Sequence, residues 1–407
     1  MICAVIGCNY GDEGKGLITD YLSSKSNSTL VVKHNGGAQA GHTVEIEDKR
    51  FVFHELSSGS FRKADTFWAK TYYPDLYKLR DEMDDFRKVA GFVPVVKASE
   101  ICNITTIDDV LINMLLETSR GNERHGSCGM GINEADLRLK AGFSLSLGDI
   151  EKLSEDELTE ALIKIRQNYT VKRLAEETVD INSDYYKLLN DRNVLYNFAC
   201  ELVSNIKLIE IVKEEETKAL FEAYENIVFE NGQGLLLDSE YVANWPNVTA
   251  SRTGIINPVR ILSDYGMKLD KACYVSRTYI TKHGAGRLAN EDSSIANRYE
   301  IEDQTNITNK WQGSIRFASF EDKYELRDNI KEDLKDLSKN IKCDLFNNIK
   351  CDLYLTHLNE TNNAILVNDK EIKLEEFMDE KNRELFDKIH LSNTKFSKDI
   401  HEHILLL

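Results

Sequence analysis

Short apolar runs rich in β-branched residues punctuate the chain, and longer amphipathic stretches separate them. Ile2–Ile6, Val31–Val32, Ile227–Phe229 and Leu353–Leu355 read as buried strands. So do Phe51–His54, Phe92–Val96 and Cys273–Ile280. Helical spacing marks Leu17–Leu22, Tyr77–Val89 and the stretch around Val110, Met114 and Leu115. Residues 150–225, rich in Glu, Lys, Leu and Asn, read as amphipathic helices with solvated charged faces, a helical insertion on the sheet. Strands that end in glycine or polar turns, with helices between them, predict an α/β fold. Its large, mostly parallel central sheet is flanked by helices. Ligands in such folds sit beyond the carboxyl ends of the strands.

The turns carry the chemistry. After Ile2–Ile6 come Gly7, Gly11, Gly14 and Gly16, with Asp12, Glu13 and Lys15 among them. A glycine loop feeding a helix offers backbone N–H groups and a positive dipole end to phosphate. Asp12 is a carboxylate able to hold Mg²⁺ or move a proton. This is a variant of the P-loop: Asn9 stands where its first Gly belongs, and Gly16 where its Ser or Thr belongs. The loop alone fits a phosphate cradle and an ordinary turn equally well. A second glycine turn, His34–Thr43, follows Val31–Val32 and also carries catalytic residue types. A third, Gly126–Gly131 with Ser127, offers another set of N–H groups. Further polar turns follow at Glu230–Asp238, Trp245–Ser251, Thr281–Arg287, Asn306–Arg316 and Thr356–Asn359. His54 reads as structural, and Cys128 as a small buried thiol.

Composition narrows the class. The 407 residues are 42% hydrophobic, enough for a large core. A formal charge of −17 argues against nonspecific nucleic-acid binding. No secretory signal and no apolar run long enough to span a membrane is evident. Eight scattered cysteines, without a C-x-x-C pair, fit reduced thiols in a cytoplasmic protein.

GDEGKG (11–16), GGAQAGHT (36–43), GSCGMGI (126–132), GQGLLLD (232–238), WPNVTAS (245–251) and HGAG (283–286) follow one another as in adenylosuccinate synthetases, and over roughly residues 1–360 the chain resembles that family. The resemblance implies one α/β domain over 1–407, with the helical insertion, in a homodimer. It implies a Mg²⁺-dependent C–N ligase that couples L-aspartate to C6 of a 6-oxopurine nucleotide, driven by a nucleoside triphosphate. By the same resemblance Asp12 is the base and a Mg²⁺ ligand, and Gly41 offers its carbonyl to the metal. Lys15 and the loop residues Gly11, Glu13, Gly14 and Gly16 hold phosphate. His42 donates to the transferring γ-phosphate, and Gln233 contacts the reacting edge of the purine. Asn35, Gln39 (at a position usually Asn), Ser127 and Thr249 fall among the nucleotide ligands.

Three stretches depart from the family pattern. Its guanine-reading TKLD is here Thr356-His357-Leu358-Asn359. A carboxylate only accepts, whereas the Asn359 amide also donates, so ATP or dATP joins GTP as a candidate phosphoryl donor. An arginine-rich aspartate loop is replaced by Asn306–Arg316, where Arg316, supplemented by Thr308 and Asn309, is expected to bind the amino acid. The partner-contributed phosphate ligand falls to Arg138 or Lys140. These departures resemble phage-associated relatives that act on GMP or dGMP. Asp12 favours the ordinary base mechanism and IMP as first substrate, with GMP or dGMP second. A noncatalytic nucleotide sensor and a simple NTPase are the alternatives of a different class.

Overall fold

Ile2–Gly7 (β1) is the strand on which the sheet is built, and beyond Ile2 every one of its residues is buried. The structure, a computed structural model, describes residues 1–121, 125–301, 313–341 and 349–403. Strands β2 to β7 are Thr29–Lys33, His42–Ile46, Lys49–Phe53, Asp65–Trp68, Val96–Ser99 and Glu210–Val212. Strands β8 to β12 are Asn226–Gly234, Lys271–Arg277, Ile280–Lys282, Arg316–Ala318 and Lys350–Thr356. Strands β13 to β16 are Ala364–Val367, Lys370–Lys373, Lys388–Leu391 and His401–His403. Ten of them form one sheet in the order β16-β15-β12-β9-β1-β8-β2-β5-β6-β7. Its neighbours pair parallel throughout, except β16, which runs antiparallel to β15 at the edge. Strands β3 and β4, β10 and β11, and β13 and β14 form three separate antiparallel pairs.

Both faces of the sheet are covered, which is why its central strands read as unbroken apolar runs. Alternate residues of β1 take opposite sides. Cys3 and Val5 join Val31, Val228, Cys273 and Val275 beneath Leu17, Ile18 and Leu22 of helix α1 (Lys15–Ser23). Ala4 and Ile6 join Val32, Phe229 and Tyr274 on the other face. There Val259 and Leu262 of the helix Ile256–Asp264 and Leu326, Ile330 and Leu337 of the helix Glu325–Asn340 close the layer. A second core gathers Phe53, Trp68, Met83, Phe86, Leu158 and Phe198 around helix α2 (Leu79–Ala90).

Several boundaries differ from expectation. The run at Phe92–Val96 becomes strand only from Val96, because Pro94 supplies no ladder N–H, and Val93 and Val95 are exposed. Phe51–His54 is extended, but in the β3–β4 hairpin outside the main sheet. Cys273–Ile280 is two strands broken after Arg277. Within 150–225 the helices give way at Glu210–Val212, which returns to the sheet as its edge strand β7. Among the described residues no helix is long and apolar enough to cross a membrane.

Candidate active site

The loops at the carboxyl ends of β1, β2, β8, β9 and β12 surround a cleft of about 1360 Å³. That volume exceeds the few hundred cubic ångströms a single small ligand needs. Gly11, Asp12, Gly14, Lys15 and Gly16 enter it from the first loop, and Gln39, Gly41 and His42 from the second. Ser127, Gln233, Thr249 and Asn359 line it from four others.

The first loop is held by its own glutamate. Glu13 is buried, and its Oε1 accepts from Asn9 N at 3.0 Å and Gly11 N at 2.9 Å. Its Oε2 pairs with Lys15 Nζ at 2.6 Å. The Glu13 side chain, expected as a nucleotide ligand, is thus engaged as a strut of its own loop. Helix α1 starts from Gly14 in the left-handed region (φ 91°) with no side-chain cap, so its first N–H groups are left for an outside acceptor. Gly16 stands in the place of a P-loop Ser or Thr for a steric reason. A Cβ there would lie 2.9 Å from His42 Cβ and 3.1 Å from Ser58 Oγ.

Asp12 has a positive φ of 61°. Its Oδ2 meets His283 Nε2 at 3.0 Å, with 22% of the side chain exposed. Burial opposes its ionisation, but the hydrogen bond and charge of His283, with Arg277 and Lys15 behind it, hold Asp12 down at about 2. His42 Nδ1 bonds Glu230 Oε1 at 2.9 Å, while its Nε2 is buried without a protein partner. Burial would raise Glu230, yet His42, Lys33 and Ser58 keep it ionised at about 2. Burial also lowers His42 below the ordinary histidine range. The resting pair is thus a buried carboxylate and imidazole joined through Nδ1.

The third glycine turn is organised by a carboxylate of helix α3 (Ile107–Arg120). Glu117 accepts from His125 N, Gly126 N and Ser127 N at 3.3, 3.0 and 3.3 Å. Ser127 Oγ exchanges hydrogen bonds with the Asn113 amide, and Gly131 N donates to Asn113 Oδ1. Helix α4 (Ile132–Lys140) then leaves from Gly131, again left-handed and uncapped. The N–H groups that suggested an anion site are largely taken from within.

Three other expected ligands are committed elsewhere. Asn35 is buried, with Oδ1 accepting from Gly232 N at 2.8 Å and Nδ2 donating to Arg252 O at 3.1 Å, so it pins two loops together. Arg138 is buried in a fork on Asp109 and donates to Ile104 O and Phe143 O. That leaves none of its donors facing the cleft; Lys140, with 70% of its side chain exposed, lines it. Arg316 forks on Glu291 and donates to Gly284 O and Gly286 O, so its guanidinium braces a turn. Thr308 and Asn309 lie outside the described residues. His54, expected to be structural, has its Nδ1 3.1 and 2.9 Å from Ala38 O and Ala40 O, and it also lines the cleft. Cys128 is half-buried, and burial raises its thiol.

Reading along the sequence missed His283 and Glu230, whose partners are distant in the chain, and Glu117, whose partners lie in the turn just after its helix. For His283 the HGAG turn was the available signal. Beside Asn359, His357 is kept neutral by burial, with Arg277 nearby. Among the described residues no three His, Cys, Asp or Glu side chains cluster as a metal cage. Mg²⁺ needs no such cage, because it is held by one or two carboxylates plus substrate oxygens. Asp12, ionised and partly exposed, fits that use.

The chain is 30% identical to the adenylosuccinate synthetase of Picrophilus torridus over 295 residues, 72% of this chain and 66% of that protein. It is 26% identical to that of Thermosipho africanus over 297 residues, 72% of this chain and 67% of that protein. The matched stretch thus spans about two thirds of each relative. Among solved structures, a fully ligated adenylosuccinate synthetase from Plasmodium falciparum superposes with a TM-score of 0.66 at 20% identity, covering 99% of this chain and 87% of the other. The succinoaminodeoxyadenylate synthetase of cyanophage S-2L, bound to dGMP and dATP, gives 0.61 at 13% identity over 98% and 94%. At these identities the likeness is one of fold. The adenylosuccinate synthetase family model matches residues 4–313, from β1 through the turn that carries His283, stopping short of Arg316 and Thr356–Asn359. With three quarters of its length matched in this way, the chain belongs to the adenylosuccinate synthetase family.

Proposed function

We propose that this protein is a purine nucleotide ligase that joins L-aspartate to C6 of a 6-oxopurine nucleoside monophosphate, IMP first, at the expense of a nucleoside triphosphate. The observation that carries the reading is one cleft lined by an ionised Asp12, Lys15 at an uncapped helix start, and His42 with an orphaned Nε2. In the reaction the purine O6 attacks the γ-phosphorus, the bond to the β-phosphate oxygen breaks, and the nucleoside diphosphate leaves. The N1 proton grows acidic as O6 bonds to phosphorus, and Asp12 accepts it. A carboxylate held near 2 is a weak base at rest, so its transfer comes late, when N1–H is most acidic. The negative triphosphate favours the imidazolium of His42, whose Nε2–H then bonds a γ-phosphate oxygen while Glu230 fixes Nδ1. The aspartate amine next adds at C6, the C6–O bond breaks, and phosphate departs with the proton that the nitrogen gives up.

Asp12 and the Gly41 carbonyl are the groups that would hold Mg²⁺, which when bound neutralises phosphoryl charge. Gln233 reads the purine edge, Thr249 and Ser127 flank the monophosphate, and Gly11, Gly14, Gly16 and Gln39 contact the nucleotides. We assign the partner-contributed phosphate contact of a homodimer to Lys140, because Arg138 is committed to Asp109. A second reading, GMP or dGMP with ATP or dATP, is favoured by Asn359, an exposed amide on the cleft that both donates and accepts.

The test crosses IMP, GMP and dGMP with GTP, ATP and dATP, each with aspartate and Mg²⁺, and reads products by mass spectrometry. A succinylated purine in the IMP wells is the expected result. Product only with GMP or dGMP selects the second reading, and no succinylated product anywhere overturns the ligase. Phosphate release without any monophosphate makes the protein an NTPase.

A further inference from the structure

His283 sits on the turn after β10, half-buried on the cleft wall, and no step written above uses it. Its Nε2 lies 3.0 Å from Asp12 Oδ2, so one oxygen of the proposed base is already engaged. The turn is fastened on several sides. Thr281 Oγ1 donates to Gly11 O at 3.0 Å, tying the turn to the loop that carries Asp12. Arg316 donates to Gly284 O and Gly286 O and is itself steadied by Glu291. Gly126 and Gly284 approach so closely that a Cβ on Gly126 would lie 2.8 Å from Ala285 N. Three elements thus fix where the imidazole stands.

Asp12 needs such a partner. Its backbone is held, because Arg277 Nε donates to Asp12 O. Its carboxylate can still rotate, and two cations, Lys15 and Arg277, attract it. A carboxylate drawn onto either would turn away from the purine.

Building on the ligase reading above, we propose that His283 is a positioning residue for this reaction. Its Nε2–H holds Asp12 Oδ2 and keeps the carboxylate aimed at the N1 edge of the purine. Arg316 is the brace of that turn.

The test is carried out on the full chain with the productive substrate set. His283→Ala lowers kcat about 100-fold, the scale of a misplaced catalytic group, and leaves KM for both nucleotides nearly unchanged. His283→Gln, whose amide nitrogen can donate the same bond, recovers most of that loss. Arg316→Lys loosens the turn without touching Asp12 and gives a smaller loss, again in kcat. Nitrogen NMR of histidine-labelled protein adds a reading that needs no turnover: the His283 Nε2 signal shifts in Asp12→Asn. An unchanged kcat in His283→Ala, equal losses in the Ala and Gln variants, or an unshifted signal overturns the inference while leaving the ligase intact. If His283→Ala does not fold, the Gln variant and the NMR shift decide it. A wild-type protein that makes no succinylated product removes the ligase reading and this role with it.

Discussion

Two glycine loops launch two nine-residue helices at the cleft, and both helices start from a left-handed, uncapped glycine. Each loop is also stiffened by a buried glutamate. They differ in how many amides that leaves. In the first, Glu13 engages the N–H groups of Asn9 and Gly11 and presents Lys15 to the cleft. In the second, Glu117, Ser127 and Asn113 engage those of His125, Gly126, Ser127, Gly129 and Gly131, and the paired cation is Arg120. A glycine-rich turn before a helix is therefore not in itself an anion site. What matters is which carboxylate reaches it first. The first loop leaves the start of its helix uncapped at the cleft, and the second has brought its own anion.

The contrast can be broken experimentally. If the first loop holds the reacting groups, Asp12→Asn lowers kcat about 1000-fold with nucleotide affinity preserved. Ser127→Ala in the Gly126–Gly131 loop changes affinity but not the chemical step; rapid-quench kinetics and calorimetry separate the two. Glu13→Ala leaves Lys15 buried without its partner and costs about 3–5 kcal/mol in urea denaturation. Glu117→Gln keeps one acceptor for several N–H groups and costs about 1–3 kcal/mol, with faster amide exchange at Gly126 and Ser127. Equal costs at the two glutamates would erase the distinction between the loops.

The smallest effect lies just after β2. His34 is fully buried, burial holds it down at about 3, and neither ring nitrogen has a protein partner. The unfolded chain takes up a proton near pH 6.5 where the folded one does not, so stability contributed above that pH is lost as pH falls towards 3. Between pH 7 and pH 5.5 the wild type should lose about 1 kcal/mol relative to His34→Leu, measured by denaturant unfolding of both.

The parallel sheet and the loops were legible because their signals are local. Apolar runs of β-branched residues marked β1, β2, β8 and β12, and glycine spacing marked the turns after them. Pairings across the chain were not legible. Arg138 and Arg316 read as ligands because a cation near a glycine turn can serve a substrate or a neighbouring carboxylate, and only folding brings Asp109 and Glu291 against them. Asn35 and Glu13 sat correctly in the site's loops, but their side chains turn inward. His283 escaped notice for the converse reason: its partner Asp12 is on the other side of the sheet sequence, reached only when β9 lies beside β1.

The placement of β1 has a consequence for biogenesis. Ile2 pairs with Ile227, and Cys3 with Lys271, so both neighbours of the central strand are made more than two hundred residues after it. Contacts of such separation close slowly, and a growing chain exposes its apolar strand until they do. On the ribosome, the glycine loop is translated long before the strands that give it its shape. Chains halted before β8 should hold β1 as an unpaired, chaperone-dependent segment, unable to grip a nucleotide.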